Sequence, residues 1–465
     1  MSWDEFAEAA KRAADWGAAY HATLRDRPVR AQTAPGDIAA ALEPSPPEDG
    51  TALADIMADF ETVVMPGITH WQHPRFFAYF NSNAAPASVL AEFLASIIAP
   101  QCMLWQTSPA ATEMETRMLD WLRQSLGLAD GFQGVIQDSA SSATLAAVLT
   151  MRERALDWAG NTAGLAGQPR LRVYCSDQVH SSIDRAIWVS GIGQDNLVKI
   201  RTTGDLRAMD PADLEAAILE DRQAGRIPAG IIAATGATGM GACDDLEAVA
   251  AIAAKYDIYT HLDAAWAGTA MICPEFRPLW RGADQFDSIV FNPHKWLGAQ
   301  FDCAAHFLRD PDQLRQTLAI RPEYLKTHAQ GEITDYSEWS IPLGRRFRAL
   351  KLWFLMRHYG MEGLRTRIRN HVAWSQSLCH RLGAEDDFEI VTEPILSLWT
   401  FKVAGASDDD TQRLVDAIND DGRIYLTQTL VDGAKVIRFT AGQFDCDARD
   451  FDTAFDTITE IARAL

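Results

Sequence analysis

Residues 258–268 read IYTHLDAAWAG, and residues 288–297 read SIVFNPHKWL. Each is a short apolar run that stops on polar, chemistry-bearing side chains: Asp263 after the first, and Asn292, His294 and Lys295 after the second. Runs this short, set between helix-length segments and rich in β-branched residues, read as buried strands. The pattern already occurs upstream, in GVIQDS (134–139), LRVYCSD (171–177), NLVKI (196–200) and AGIIAATG (229–236). Strand and helix alternate in this way from about residue 110 to about 330, which predicts an α/β fold with a mostly parallel central sheet covered by helices on both faces. Ligands of such sheets bind beyond the carboxyl ends of the strands, so Asp263 and Lys295 are expected on one rim.

Outward from this core the pattern changes. The first sixty or so residues carry Trp3, Phe6, Ala10 and Ala14 near helical spacing, punctuated by EPSPPEDG (43–50), and read as an amphipathic helical arm. Beyond residue 345 comes a long helical pattern, then strand-like FEIVTEP (388–394), ILSLWTFKV (395–403) and AKVIRFTAG (434–442), then a last helix. The expected division is an arm over 1–85 that needs a surface to lie on, a large domain over 86–345 and a small C-terminal α+β domain over 346–465.

Composition excludes several functions. With 63 acidic against 42 basic side chains the formal charge is -21, which argues against nucleic acid and anionic membranes as partners. MSWDEFAEAAKRAADW at the start lacks the basic end and apolar block of a signal peptide, and no stretch approaches the roughly 20 apolar residues of a membrane span. A soluble, cytoplasmic protein is expected. Seven scattered cysteines without a CxxC pair fit neither a disulfide framework nor a zinc site, so no metal is expected.

Burial lowers a lysine's pKa and makes it a nucleophilic amine, whereas a lysine in an exposed loop does nothing of the kind. A carboxylate at a strand end needs a cationic partner, commonly an arginine. Asp263 and Lys295 at two strand ends are also what pyridoxal phosphate requires, the lysine for a Schiff base and the carboxylate to keep the ring nitrogen protonated. The start SASSATLAAVLTMRERALDW (139–158) puts small hydroxylated residues ahead of a helix, where backbone N–H groups and Ser139 or Ser141 could hold an anion. His180, in YCSDQVHSSIDRA, could stack on a planar cofactor or act as an acid.

These motifs, together with PGITHWQHPRFFAYF (66–80), SPAATEMETRMLDWL (108–122) and ITDYSEWSIPLGRRFRALKLWF (333–354), resemble the group II pyridoxal-phosphate decarboxylases, and within them the aromatic L-amino-acid decarboxylases. The resemblance runs from the N-terminal helices to VIRF (436–439) and implies a fold-type I enzyme. It makes Lys295 the Schiff-base lysine, Asp263 the partner of the ring nitrogen and His180 the imidazole stacked on the ring. Ala140, Ser141 and Asn292 would anchor the phosphate with His294 beside it, and Thr238 and Ala265 would flank the ring. Trp71, Tyr79, Phe80 and Ser82 match positions that line the substrate pocket. Gln101 and Met103 stand where residues from a partner chain complete it, in a homodimer whose active sites draw on both chains.

The family reaction removes the carboxylate of an aromatic amino acid and protonates the α-carbon from a tyrosine on a mobile loop, here matched to Tyr336. Relatives with phenylalanine at that position tend to be aldehyde synthases, so Tyr336 implies an amine product, with the oxidative reaction as the alternative and cofactor binding without turnover less favoured still. Gly344 matches a position where glycine accompanies indole or catechol substrates; the other reading is a glycine that serves a turn. Asn81 and Ser82, Gln101 and Met103, and a shorter loop from Thr327 to Thr334 depart from the animal enzymes and leave ring preference open. Arg438 also matches the family, with a structural ion pair as its expected role.

Overall fold

The apolar runs form one sheet in a computed structural model that describes residues 1–320 and 333–465. Its strands are β1 (Gln133–Gln137), β2 (Leu171–Ser176), β3 (Leu197–Ile200), β4 (Ile227–Ala234), β5 (Tyr259–Asp263), β6 (Ser288–Phe291) and β7 (Ala304–Leu308), in the order β1-β7-β6-β5-β4-β2-β3. Neighbours from β3 through β6 are parallel. Strand β7 runs antiparallel to both β6 and β1, and its sequence, AAHFL, was not singled out as a strand. The interior strands are almost continuously buried, as expected of a sheet covered on both faces. The shorter loop from Thr327 to Thr334 lies mostly outside the described residues.

Helices between the strands begin where the sequence supplies caps. Helix α1 (Trp3–Ala22) starts on Ser2 with a full capping box to Glu5, and α2 (Pro86–Ile98) and α3 (Pro109–Leu126) each start on a proline, whose missing N–H costs nothing in a first turn. Helix α4 (Ala140–Ala155) starts on Ser139, whose hydroxyl accepts the Ser142 N–H at 3.2 Å. The long pattern after residue 345 forms a helix over Ala349–Gly383, broken where Gly360 takes φ 64°.

A second sheet comprises β8 (Phe388–Ile395), β9 (Leu398–Val403), β10 (Thr427–Val431) and β11 (Ala434–Thr440), in the order β8-β9-β11-β10. By compactness the chain divides into one unit of Met1–Asn81, Trp374–Val391 and Thr400–Leu465, and another of Ser82–Ala373 and Thr392–Trp399. This differs from the three-part sequence division. Within the first unit the N-terminal segment hydrogen-bonds the C-terminal region, Val29 N–H to Gly422 and Phe77 N–H to Tyr425, and Arg25 pairs with Asp450 at 2.9 Å. No helix among the described residues is long and apolar enough to cross a membrane, and all seven cysteines are buried thiols.

Candidate active site

Strands β5 and β6 end side by side, with Asp263 paired in register to Val290. The chain leaving β6 folds back on the chain leaving β5: Ala264 N–H bonds Val290 O, and Asn292 N–H bonds Ala265 O, both at 2.9 Å. Lys295 then sits in a single π-type turn, Pro293–Leu297, ended by Gly298 at φ 103°, a conformation that disfavours any residue with a Cβ. Turns of this kind recur at functional sites. Two indoles fix the arrangement. Trp266 and Trp296 are fully buried and stack at 4.9 Å and 7°, and Trp296 Nε1 donates to His371 Nδ1 at 2.9 Å. Asn83 closes the turn from outside, its amide donating to Lys295 O at 2.6 Å and its backbone N–H to His294 O.

Asp263 is half-buried, and one of its oxygens accepts the Ala265 N–H at 3.0 Å. Among the described residues it forms no ion pair with an arginine, so the commoner structural pairing does not hold it. His180 is near enough to feel both other groups. Burial lowers its pKa, Asp263 pulls it back up and Lys295 pushes it further down. The residue keeps an exposed edge in the single chain, yet enough of the ring is walled in for burial to lead. Its Nδ1 accepts the Ser182 N–H at 3.1 Å, which leaves the neutral ring's proton on Nε2. Asp263, His180 and Lys295 therefore come together as the sequence suggested.

The start of α4 joins them. Ala140 and Ala143 pack with Val290 on β6 and with Ala265. Of the two serines left open by the sequence, Ser139 is the cap, bonded to Asp138 and Ser142, and Ser141 points out exposed. Asn292 is buried, and its Oδ1 has no hydrogen-bond partner among the described residues. His294 is buried and neutral: Cys303 N–H donates to its Nδ1 at 2.8 Å, and burial with Lys295 alongside pushes its pKa down to about 3. Thr238 is half-buried in the turn after β4, where neighbouring Ala237 packs against Val179 beside His180.

The remaining candidates separate. Gly344 is exposed and outside the left-handed region, so no turn demands glycine there. A Cβ at 344 would instead lie 3.3 Å from Gln101 Nε2, while Gln101 Oε1 accepts the Arg345 N–H at 2.7 Å. Met103 and Ser82 are half-buried. Trp71, Tyr79 and Phe80 belong to the other compact unit, where Trp71 and Tyr79 stack at 5.9 Å. There the buried guanidinium of Arg438 covers Phe80 at 4.6 Å and donates to Ala78 O.

Tyr336 requires a correction. It is the first residue of a 3₁₀ turn, Tyr336–Trp339, and its ring is core: 3% exposed and packed with Val135, Ala146, Leu308, Leu314 and Trp339. Its hydroxyl pairs with Thr116 Oγ1 at 2.9 Å, Arg345 lies 5.2 Å over the ring, and burial, with Glu115 adding to it, raises its pKa. A phenol held in this way is not a loop proton donor. The other tyrosine in this stretch of sequence, Tyr324, falls outside the described residues. The Trp266–Trp296 stack and the Asn83 clamp were not foreseen, although a tryptophan stands in both opening motifs.

A mostly parallel sheet that gathers a lysine, a carboxylate and an imidazole at its strand ends, next to a helix start, has the groups needed to hold a cofactor through a lysine. The buried Asn292 amide, whose NH2 can donate to an anion, the half-buried Asp263 and the first turn of α4 fit a pyridine ring carrying a phosphate. The comparisons make the class specific. Residues 35–404 match the pyridoxal-dependent decarboxylase conserved domain. The chain is 37% identical over 481 residues to tyrosine decarboxylase 4 of Petroselinum crispum, covering 99% of this chain and 94% of the relative. It is also 37% identical to phenylacetaldehyde synthase of Arabidopsis thaliana, covering 97% and 94%. A solved structure of Oryza sativa TDC with PLP and tryptamine superposes with a TM-score of 0.97 at 35% identity, covering 100% and 99%. The chain belongs to the pyridoxal-dependent decarboxylase family; it is a carboxy-lyase whose cofactor is pyridoxal 5'-phosphate, on the family's α/β fold.

Proposed function

We propose that this enzyme removes the carboxylate of an aromatic L-amino acid, taking up one proton and releasing the arylalkylamine and CO2. The observation that carries the reading is the convergence of Lys295, Asp263 and His180 at the ends of β5 and β6. Similarity to tyrosine, tryptophan and aromatic-L-amino-acid decarboxylases over 92–99% of the chain supports the substrate class.

Bound pyridoxal phosphate supplies an electron sink for the pair of electrons left when CO2 departs. In this reading the Lys295 amine would hold the cofactor covalently. The Asp263 carboxylate, oriented by its bond from Ala265 N–H, would hold a proton on the ring nitrogen. Neutral His180 lies against the ring. The first-turn N–H groups at Ala140 and Ser141, the Ser141 hydroxyl, the Asn292 side chain and His294 Nε2–H would hold the phosphate. Thr238 and Ala265 would flank the ring, and Ser82, Met103 and Gly344 would shape the substrate side.

The protein acts as a homodimer in the cytoplasm in this reading. The outward face of α2, with Val89, Leu90, Phe93, Leu94, Ile97 and Ile98 all at least 36% exposed, supports a partner chain, since so continuous an apolar stripe is costly in water. Seven buried thiols suit a reducing compartment.

A second reading has one specific support, the phenylacetaldehyde synthase relative: decarboxylation with O2 and water consumed, giving CO2, aldehyde, ammonia and hydrogen peroxide. One assay separates the two. Purified enzyme with pyridoxal phosphate is offered tryptophan, 5-hydroxytryptophan, dopa, tyrosine, phenylalanine, histidine and glutamate, with amine, aldehyde and peroxide measured together. Amine without matching peroxide from an aromatic substrate upholds the first reading. Aldehyde with stoichiometric peroxide establishes the second, and turnover of glutamate alone overturns both.

A further inference from the structure

Four polar side chains lie wholly buried between α4 and the sheet, and the chemistry above uses none of them. Thr144 Oγ1 meets His261 Nε2 at 3.2 Å, His261 Nδ1 meets Ser288 Oγ at 2.8 Å, and Ser288 Oγ meets His306 Nε2 at 2.7 Å. All four residues are 0% exposed. The string joins one helix and three adjacent strands, β5, β6 and β7. An apolar layer would fill the same space without the desolvation cost of two imidazoles and two hydroxyls, so its polarity needs a reason.

Its position offers one. Thr144 is one turn along α4 from Ala140, and His261 is two residues before Asp263 on β5, hence on the same face of the sheet. Ser288 is likewise two residues before Val290, which packs against Ala140 and Ala143. The string therefore crosses from the strand that carries Asp263 to the helix whose first turn faces the phosphate.

Its proton order follows from hydrogen-bond accounting. Burial holds both rings neutral, His261 well below its usual pKa and His306 at about 3, so each ring has one N–H and one bare nitrogen. His306 Nδ1 is buried with no partner among the described residues. A bare nitrogen is tolerated there more readily than an orphaned N–H, which places the His306 proton on Nε2. His306 then donates to Ser288, Ser288 to His261 Nδ1, and His261 Nε2–H to Thr144, each donor leading toward α4.

We propose that Thr144, His261, Ser288 and His306 are positioning residues that hold the start of α4 at a fixed spacing from Asp263, so that the cofactor's phosphate and ring nitrogen are met together. The proposal rests on the cofactor assignments under Proposed function. Its test is titration of apoenzyme with pyridoxal phosphate, read by absorbance, beside thermal unfolding of the same apoenzymes. Ser288→Ala, which severs the middle, and the near-isosteric Thr144→Val, which spares the strands, should each raise the cofactor dissociation constant at least tenfold. The Thr144→Val apoenzyme should keep its melting temperature to within a few degrees. His306→Gln, whose amide NH2 replaces Nε2–H, should restore binding that His306→Leu loses. Dissociation constants within twofold of wild type in both Ser288→Ala and Thr144→Val, or equal loss in His306→Gln and His306→Leu, overturn the string's role. Failure of the wild-type protein to bind the cofactor would overturn the underlying assignments instead.

Discussion

The lysine-bearing segment FNPHKW and the tyrosine-bearing segment TDYSEW both match motifs of the family, and the structure treats them in opposite ways. Lys295, Asp263 and His180 keep partial access at the strand ends, braced from behind by buried groups: the Trp266–Trp296 stack, neutral His294 and the Asn83 clamp. Tyr336 has the reverse arrangement, with its ring in the core and its hydroxyl tied to Thr116. A reactive group needs a rigid back and an open front, and motif matching detects the residue type without the orientation.

The largest expected effect breaks the comparison at its reactive end. Lys295→Ala should lose borohydride-reducible attachment of the cofactor and lower turnover by about 10⁴-fold or more, the scale on which removal of a covalent nucleophile acts. Labelling retained in that variant would overturn the assignment.

Next comes the contrast between two phenols. Tyr336→Phe should cost about 1 kcal/mol of stability through the lost Thr116 hydrogen bond, with the amine-to-peroxide ratio unchanged. If a tyrosine of this stretch protonates the α-carbon, Tyr324 is the one left, and Tyr324→Phe should lower amine formation by about 10²–10⁴-fold, the span of general acid catalysis, while peroxide rises. Equal product ratios in wild type and Tyr324→Phe, with a changed ratio in Tyr336→Phe, would reverse the correction made here.

That correction shows where the sequence was legible. Strands β2, β4 and β6 were readable because interior parallel strands covered on both faces are apolar almost throughout, and polar residues that end such strands collect on one rim. Strand β7 escaped because AAHFL is short and weakly β-branched, and Thr427–Val431 because its alternation is polar. Tyr336 was misplaced because DYSEWS is polar in composition, and only tertiary packing against Leu308 and Leu314 buries its ring. The string from Thr144 to His306 was out of reach, since its four members come from four separate segments.

A smaller effect follows from the buried imidazoles behind the site. His294, His306 and His371 are pushed down to about 3, each chiefly by burial. The folded protein keeps them neutral, whereas the unfolded chain binds their protons below about pH 6.5. Their contribution is fully present above pH 6.5 and is lost as pH falls from there toward 3, by about 2 kcal/mol per histidine at pH 5. Melting temperature should therefore drop steeply between pH 6.5 and 5 in wild type and less steeply in His371→Phe; parallel curves would show that His371 already titrates when folded.

The smallest effect tests how Gly344 acts. Its backbone accepts any residue, so glycine is held by its surroundings, and the nearest is the Gln101 amide, whose oxygen is pinned by Arg345 N–H. Gly344→Ser should shift the indole-to-phenol ratio of kcat/KM by about tenfold, the scale of one or two heavy atoms in a pocket. A glycine that only makes room for the ring would give the same shift in a Gln101→Ala background. If the serine acts by displacing Gln101, the shift disappears there, and the coupling between the two sites measures how much of the preference the amide carries.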